Sequence, residues 1–229
     1  MGQLINNPII DAGVEISASF NVPSDAIVGI LFNSMRQKNQ NVGLQKLPVS
    51  NIPDEIRRMD PNLKDKPTHQ LSCSNGFVQI GENVLSIGVI MPYVSWGIFM
   101  DFIKGIFKLL SDNSLIKEVS LAKLRYLNFF KQNVFNSINL SVTMDGVDDL
   151  CSGSTAFRTE IPCGMNVMGV LQITNGVHVK NESMGLDDDG SLIDIQTISK
   201  NVSKDNLFDV VDNLHEHAEI LFIKLTKKN

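Results

Sequence analysis

Apolar and polar residues alternate without a slip along residues 10–20. Ile10, Ala12, Val14, Ile16, Ala18 and Phe20 fall on one side, and Asp11, Gly13, Glu15, Ser17 and Ser19 on the other. A period of two is the period of a strand, so the segment predicts a strand with one buried and one polar face. Ser24 or Asp25 can then cap a helix, whose stripe of Ile27, Ile30, Leu31 and Met35 runs to about Lys38. There the periodicity lapses. Residues 39–69 carry Pro48, Pro53, Pro61 and Pro67 among several charges, and read as a long connection with a short helix near Asp54–Met59. A connection of that length is often functional or mobile, which makes it a candidate lid.

Residues 71–80 and 84–90 predict two strands turned at Gly81-Glu82-Asn83. Ser95 is the candidate cap of the next helix, where Trp96, Phe99, Ile103, Ile106 and Leu110 recur at spacings of three and four. Trp96 lies on that stripe and is expected in the core. The second half is mostly strand, over 118–130, 137–144, 156–161, 165–174, 177–181 and 192–198. Asn175-Gly176 supplies the strongest hairpin signal, and LDDDG at 186–190 reads as an acidic turn. Residues 203–226 close the chain as an amphipathic helix. Hairpin-linked strands with few helices predict an α+β fold, with a mainly antiparallel, curved sheet and helices packed on one face. The expected unit is one domain over residues 1–229, divisible into sheet-plus-helix halves 1–116 and 117–229.

Composition narrows the function classes. The chain has 229 residues, with a hydrophobic fraction of 43%, a charged fraction of 20% and a net charge of −5, which argues against general attraction to nucleic acid or an anionic membrane. The uncharged run 84–100 is broken by Pro92 and followed at once by Asp101 and Lys104, so no membrane span is expected. The start, MGQLINNPII, lacks the pattern of a signal peptide. Cys73, Cys151 and Cys163 form no CxxC pair, which fits free thiols in a reducing compartment.

Candidate chemistry is sparse. Asp145, Asp148 and Asp149 surround Gly146, and Asp187 and Asp189 belong to the second acidic run. Jointly they are weak candidates for a divalent metal, but the EF-hand frame around Gly190 fails at its first and twelfth positions, Gly185 and Gln196. Solvated turns are the favoured reading, and no metal or cofactor is expected. His215 and His217 stand two apart on one helix and point roughly 200° apart, so they cannot chelate one ion together. His69 and His178 have no nearby partner in sequence. Cys151 and Cys163 lie beside glycines, yet neither a Gly-x-Ser-x-Gly elbow nor a phosphate-binding loop occurs. Lys117, Lys123, Arg125 and Lys131 along one strand keep RNA binding as a weaker alternative.

PIIDAGVEI, FVQIGENVLS, Trp96-x-x-Phe99, LRYLN at 124–128, LIDIQT at 192–197 and LHEHAEILF resemble, in order, the landmarks of a sporadically distributed prokaryotic protein family. That family has a proline-led first strand ending in Glu, a mid-chain Arg-Tyr-x-Asn strand and a closing Leu-His…Phe helix. The resemblance spans nearly the whole chain. It implies a cytoplasmic protein of unassigned activity, with no catalytic residues to carry over, and suits an accessory or mobile-element function. Phe129 and Phe130 stand where a basic or polar residue often follows the Asn.

The landmark strands raise the question of Arg125, set in the apolar run LAKLRYLNFF. If the first strand and the LRYLN strand are neighbours, a bidentate Glu15–Arg125 bridge would fix their register. Arg125 and Asn128 would then line a polar groove beneath residues 39–69. The expected function is a binding or interaction protein for another protein or a small-molecule ligand, compatible with a homodimer. A metal-dependent hydrolase or nuclease using the acidic turns is the alternative.

Overall fold

The computed structural model describes residues 7–38 and 41–227. Residues 1–6, read above for a signal sequence, and the first two of the 39–69 connection lie outside that description. The elements, in chain order, are β1 (Ile9–Phe20), α1 (Ser24–Lys38), β2 (Gly43–Lys46), α2 (Asp54–Met59), β3 (His69–Cys73), β4 (Gly76–Ile80), β5 (Val84–Val89), α3 (Trp96–Asp112), β6 (Ile116–Phe130), β7 (Thr155–Gly164), β8 (Val167–Asn181), β9 (Leu186–Ser199) and α4 (Leu207–Thr226).

The strands form one unclosed, curved antiparallel sheet in the order β2-β3-β4-β5-β1-β6-β9-β8-β7. The fold is α+β. Each half of the chain follows the same plan: a strand, later a three-stranded meander whose last member returns beside that strand, and then a helix. The order β3-β4-β5-β1 is answered by β7-β8-β9-β6, with α3 after one meander and α4 after the other. The two halves meet at the β1–β6 pair.

Alternation decides which face is covered. Ala12, Val14, Ile16 and Ala18 of β1 and Ala122, Leu124, Tyr126 and Asn128 of β6 are buried on the helix side. Each large apolar side chain so buried contributes about 1.5–3 kcal/mol. α4 lies over β6, β9 and β8, while α1 packs on β3, β4 and α3. Ser95 caps α3 by accepting from the Ile98 N–H at 3.4 Å, and Phe99, Ile103, Ile106 and Leu110 fill the core beneath it. On the other face, Asp11, Glu15, Lys123, Arg125, Asp194 and Gln196 stand on an uncovered surface, as the polar side of an antiparallel sheet commonly does.

Several expectations fail, each for a local reason. Residues 71–80 are two strands, turned at Ser74-Asn75. Residues 137–144 alternate but form no strand, because β6 already has partners on both edges; Asn139 N–H bonds instead to Leu225 O at the end of α4 (2.7 Å). Asn175-Gly176 makes no hairpin. It is a bulge inside continuous β8, with Gly176 at φ +72° and Asn175 buried against Ser191 (Oγ to Oδ1, 2.7 Å). LDDDG is the opening of β9, not a turn; the reversal lies just before it and ends at Gly185 (φ +61°). Trp96 is only partly buried, for reasons given below.

Candidate functional site

β1 and β6 are neighbours, but their register is not the one a Glu15–Arg125 bridge needs. Gly13 stands opposite Arg125, and Glu15 stands opposite Lys123, whose Nζ reaches its carboxylate at 2.7 Å. Arg125 pairs instead with two aspartates, both placed opposite Leu127: Asp11 on β1 and Asp194 on β9. These are its diagonal neighbours, within reach of a long side chain. Arg125 Nε donates to Asp194 at 3.0 and 3.1 Å, Nη2 to Asp194 Oδ2 at 2.8 Å, and Nη1 to Asp11 Oδ2 at 3.3 Å. The guanidinium therefore ties three adjacent strands together. Its hydrogen bonds to Asp194 hold its proton more firmly than usual, whereas burial chiefly raises the pKa of Asp11, against the pull of Arg125.

Asn128 does not share a groove with Arg125. Three residues along a strand reverse the face, and Asn128 lies 3% exposed beneath the helices. The described part of the connection, residues 41–69, does not cover the pair either. β2 is the far edge of the sheet, five strand steps from β6, or roughly 24 Å at ~4.8 Å per step. Asp65 of this connection shares a shallow depression with Ser17, Ser19 and Ser120, towards the other end of β1.

The proposed metal candidates stay apart. Asp145 and Asp148 are exposed in the irregular stretch between β6 and β7. Asp187 and Asp189 flank His178 across the β8–β9 ladder, with carboxylates 2.9 and 2.8 Å from Nε2 and Nδ1. Among the described residues no group of three or more His, Cys, Asp or Glu side chains could hold a metal ion. His178 thus has two partners that the linear sequence hid. Both its ring nitrogens face acceptor-only carboxylates, and only the imidazolium carries a proton on each. The Asp189 hydrogen bond, assisted by Asp187, raises the His178 pKa. Its titration by NMR should therefore fall above the usual value of about 6.5, and Asp189→Asn should bring it back down. A folded-state pKa raised in this way gives stability that is complete below the unfolded value and is lost as pH rises through the folded one.

Cys163 is no activated nucleophile. Its thiol lies 3.3 Å from Ile161 O, and burial pushes its pKa up.

A partly open pocket lies on the covered side of β6. A cavity of about 200 Å³ opens between β6, β9 and α4, with Tyr93, Tyr126, Asn128, Ile195, Ala218 and Phe222 among its lining and Glu219 at its wall. Tyr126 OH stands 3.3 Å from Tyr93 OH and 3.1 Å from His215 Nδ1. Burial lowers the His215 pKa, against the raising influence of Glu219, Asp212 and Glu216, so the ring is neutral at pH 7 and can accept from Tyr126. Burial likewise raises the Tyr126 and Tyr93 hydroxyls, which stay protonated. Trp96 stacks on the outer face of His215 (4.2 Å, 15°), and its indole N–H donates to Asp212 at 2.6 Å. This explains its partial exposure: it fastens α3 to α4 and shields the histidine.

Asn128 completes the cavity wall. Its Nδ2 donates to Ile193 O at 3.2 Å, while its Oδ1 receives no hydrogen bond among the described residues. Sequence reasoning singled out Asn128 but missed Tyr93, Tyr126 and His215. The available signal was parity, since Leu124, Tyr126 and Asn128 must share one face.

No family model matches the chain, and no curated protein matches it in sequence. No helix of the described residues is long and apolar enough to cross a membrane.

Proposed function

We propose that the protein is a binding protein whose small-molecule ligand seats in the cavity between β6, β9 and α4. The observation that carries this reading is Asn128, a buried residue on the cavity wall whose side-chain oxygen receives no hydrogen bond from the described residues. A ligand N–H or O–H can donate to that oxygen, and a hydrogen bond of this kind contributes about 0.5–1.5 kcal/mol net. Apart from Asn7, His215 and Glu219 the rest of the lining is aromatic and aliphatic, in keeping with pockets that hold an apolar body and orient it by a few polar groups. A cavity near 150 Å³ accommodates benzene, so this one admits a single substituted ring with one donor group. In this reading the protein works in the cytoplasm, as its sequence resemblance implies, and Arg125 serves as a strand clamp outside the site.

Thermal-shift and ligand-observed NMR screening with single-ring compounds, with and without an N–H or O–H donor, tests it. Donor-bearing rings should raise the unfolding midpoint. Ala218→Leu, which fills the cavity from α4, should abolish their binding, whereas Glu15→Gln on the open face should leave it intact. Failure of every such compound to bind, or binding that survives Ala218→Leu in a folded protein, overturns the proposal.

A further inference from the structure

Among the described residues the sheet has two free edges, and they differ in kind. β2 has four residues, all exposed, and ends in Lys46. A short edge strand ending in a lysine resists pairing with other chains. β7 is the opposite case: ten residues with strict alternation, whose one ladder partner among the described residues is β8 on the inner side. Pro162 and the irregularity between it and Gly164, both near its end, interrupt the strand.

We propose that β7 is a homodimer interface, where a second copy of this chain adds its own β7 antiparallel and joins the two sheets into one. The side chains select both occupant and register. Arg158 and Glu160 stand two apart on the open face, and are bonded to each other at 2.9 Å within the strand. A two-fold axis passing through Thr159, perpendicular to the sheet, sets Arg158 opposite Glu160 of the second copy, and the reverse. The same axis sets Phe157 opposite Ile161 of the second copy on the covered side, where both residues are half-buried at the edge of the core. Helices of the two copies then lie on the same side of the joined sheet.

The neighbouring registers are disfavoured. An axis through Arg158 opposes two arginines directly, and one through Glu160 opposes two glutamates, arrangements that destabilise a ladder. A slip of one residue exchanges the faces of the partner sheet. One register therefore combines both opposite-charge pairs with both apolar pairs.

Analytical ultracentrifugation across about 1–200 µM, a range that brackets micromolar affinity, reads the outcome directly. Wild type should show reversible dimers. Arg158→Glu and Glu160→Arg should each weaken dimerisation about tenfold or more, because each places like charges opposite at two positions. An equimolar mixture of these two single variants should restore dimers, since all cross-strand pairs are again opposite in sign; the double exchange R158E/E160R should restore them too. Both side chains are more than half exposed, so circular dichroism should show every variant folded. A wild type that stays monomeric throughout, or single variants that dimerise as wild type does, overturns the proposal.

Discussion

Gly190→Ala should lower the unfolding midpoint by roughly 5–15 °C, the equivalent of about 2–4 kcal/mol in a chain of this size. A Cβ at this position would lie 2.0 Å from Phe130 O and 3.0 Å from ring carbons of Phe129. The first contact is to backbone, so no rotamer change relieves it. β9 must leave β6 just where Phe130 pairs with Ser191, and the hydroxyl of Ser191 bonds there to Gln132 O and Asn175 Oδ1. Separating the strands would loosen that buried cluster as well. Asp189→Ala supplies the contrast. Its side chain is 88% exposed, and its removal should change stability by no more than about 0.5 kcal/mol. Differential scanning calorimetry on the two variants separates a strand from the solvated turn that the acidic run suggests.

Arg125→Met should cost about 2–3 kcal/mol. Removing one partner of a buried ion pair costs about 3–5 kcal/mol, because the other charge is left behind. Arg125 itself is 39% exposed, so solvent screens part of that loss, but Asp194 is only 13% exposed and stays stranded beside Asp11. Gln196 Nε2, at 3.4 Å from both Asp194 oxygens, is a weak substitute. Asp194→Asn should cost a similar amount, and the double variant less than the sum of the two, which urea denaturation can measure as a coupling energy. Glu15→Gln should cost less, about 1 kcal/mol or under, since Glu15 is 40% exposed and the substituted amide oxygen can still accept from Lys123. Equal losses in Glu15→Gln and Asp194→Asn would contradict the register observed.

What could be read in the sequence follows the range of the forces involved. α1 and α3 lie where their candidate caps and apolar stripes place them, because capping and helical periodicity are local. β1 was legible for the same reason: its alternation is complete within eleven residues. Adjacency of β1 and β6 was a supposition that the sheet order bears out, yet the pairing differs from the supposed one by two residues, a shift that leaves the face of each side chain unchanged while exchanging every partner. Face parity is written along one strand; register depends on another strand a hundred residues away. Asn175-Gly176 misled because its left-handed glycine serves a bulge as well as a turn, and only burial of Asn175 distinguishes them. The cavity was the least legible feature. It needs Tyr93 from a loop, Tyr126 and Asn128 from β6, and His215 from α4, brought together by the return of the closing helix over the sheet.

That convergence is the claim on which the proposed function rests, and NMR titration of the side-chain amide of Asn128 and the ring of His215 tests it most directly. Addition of a donor-bearing ring compound that raises the unfolding midpoint should move both sets of signals and leave the ring of His178, on the distal β8–β9 ladder, unchanged. Binding accompanied by shifts at His178 or along the Lys123–Arg125–Gln196 face, with Asn128 and His215 still, would contradict it.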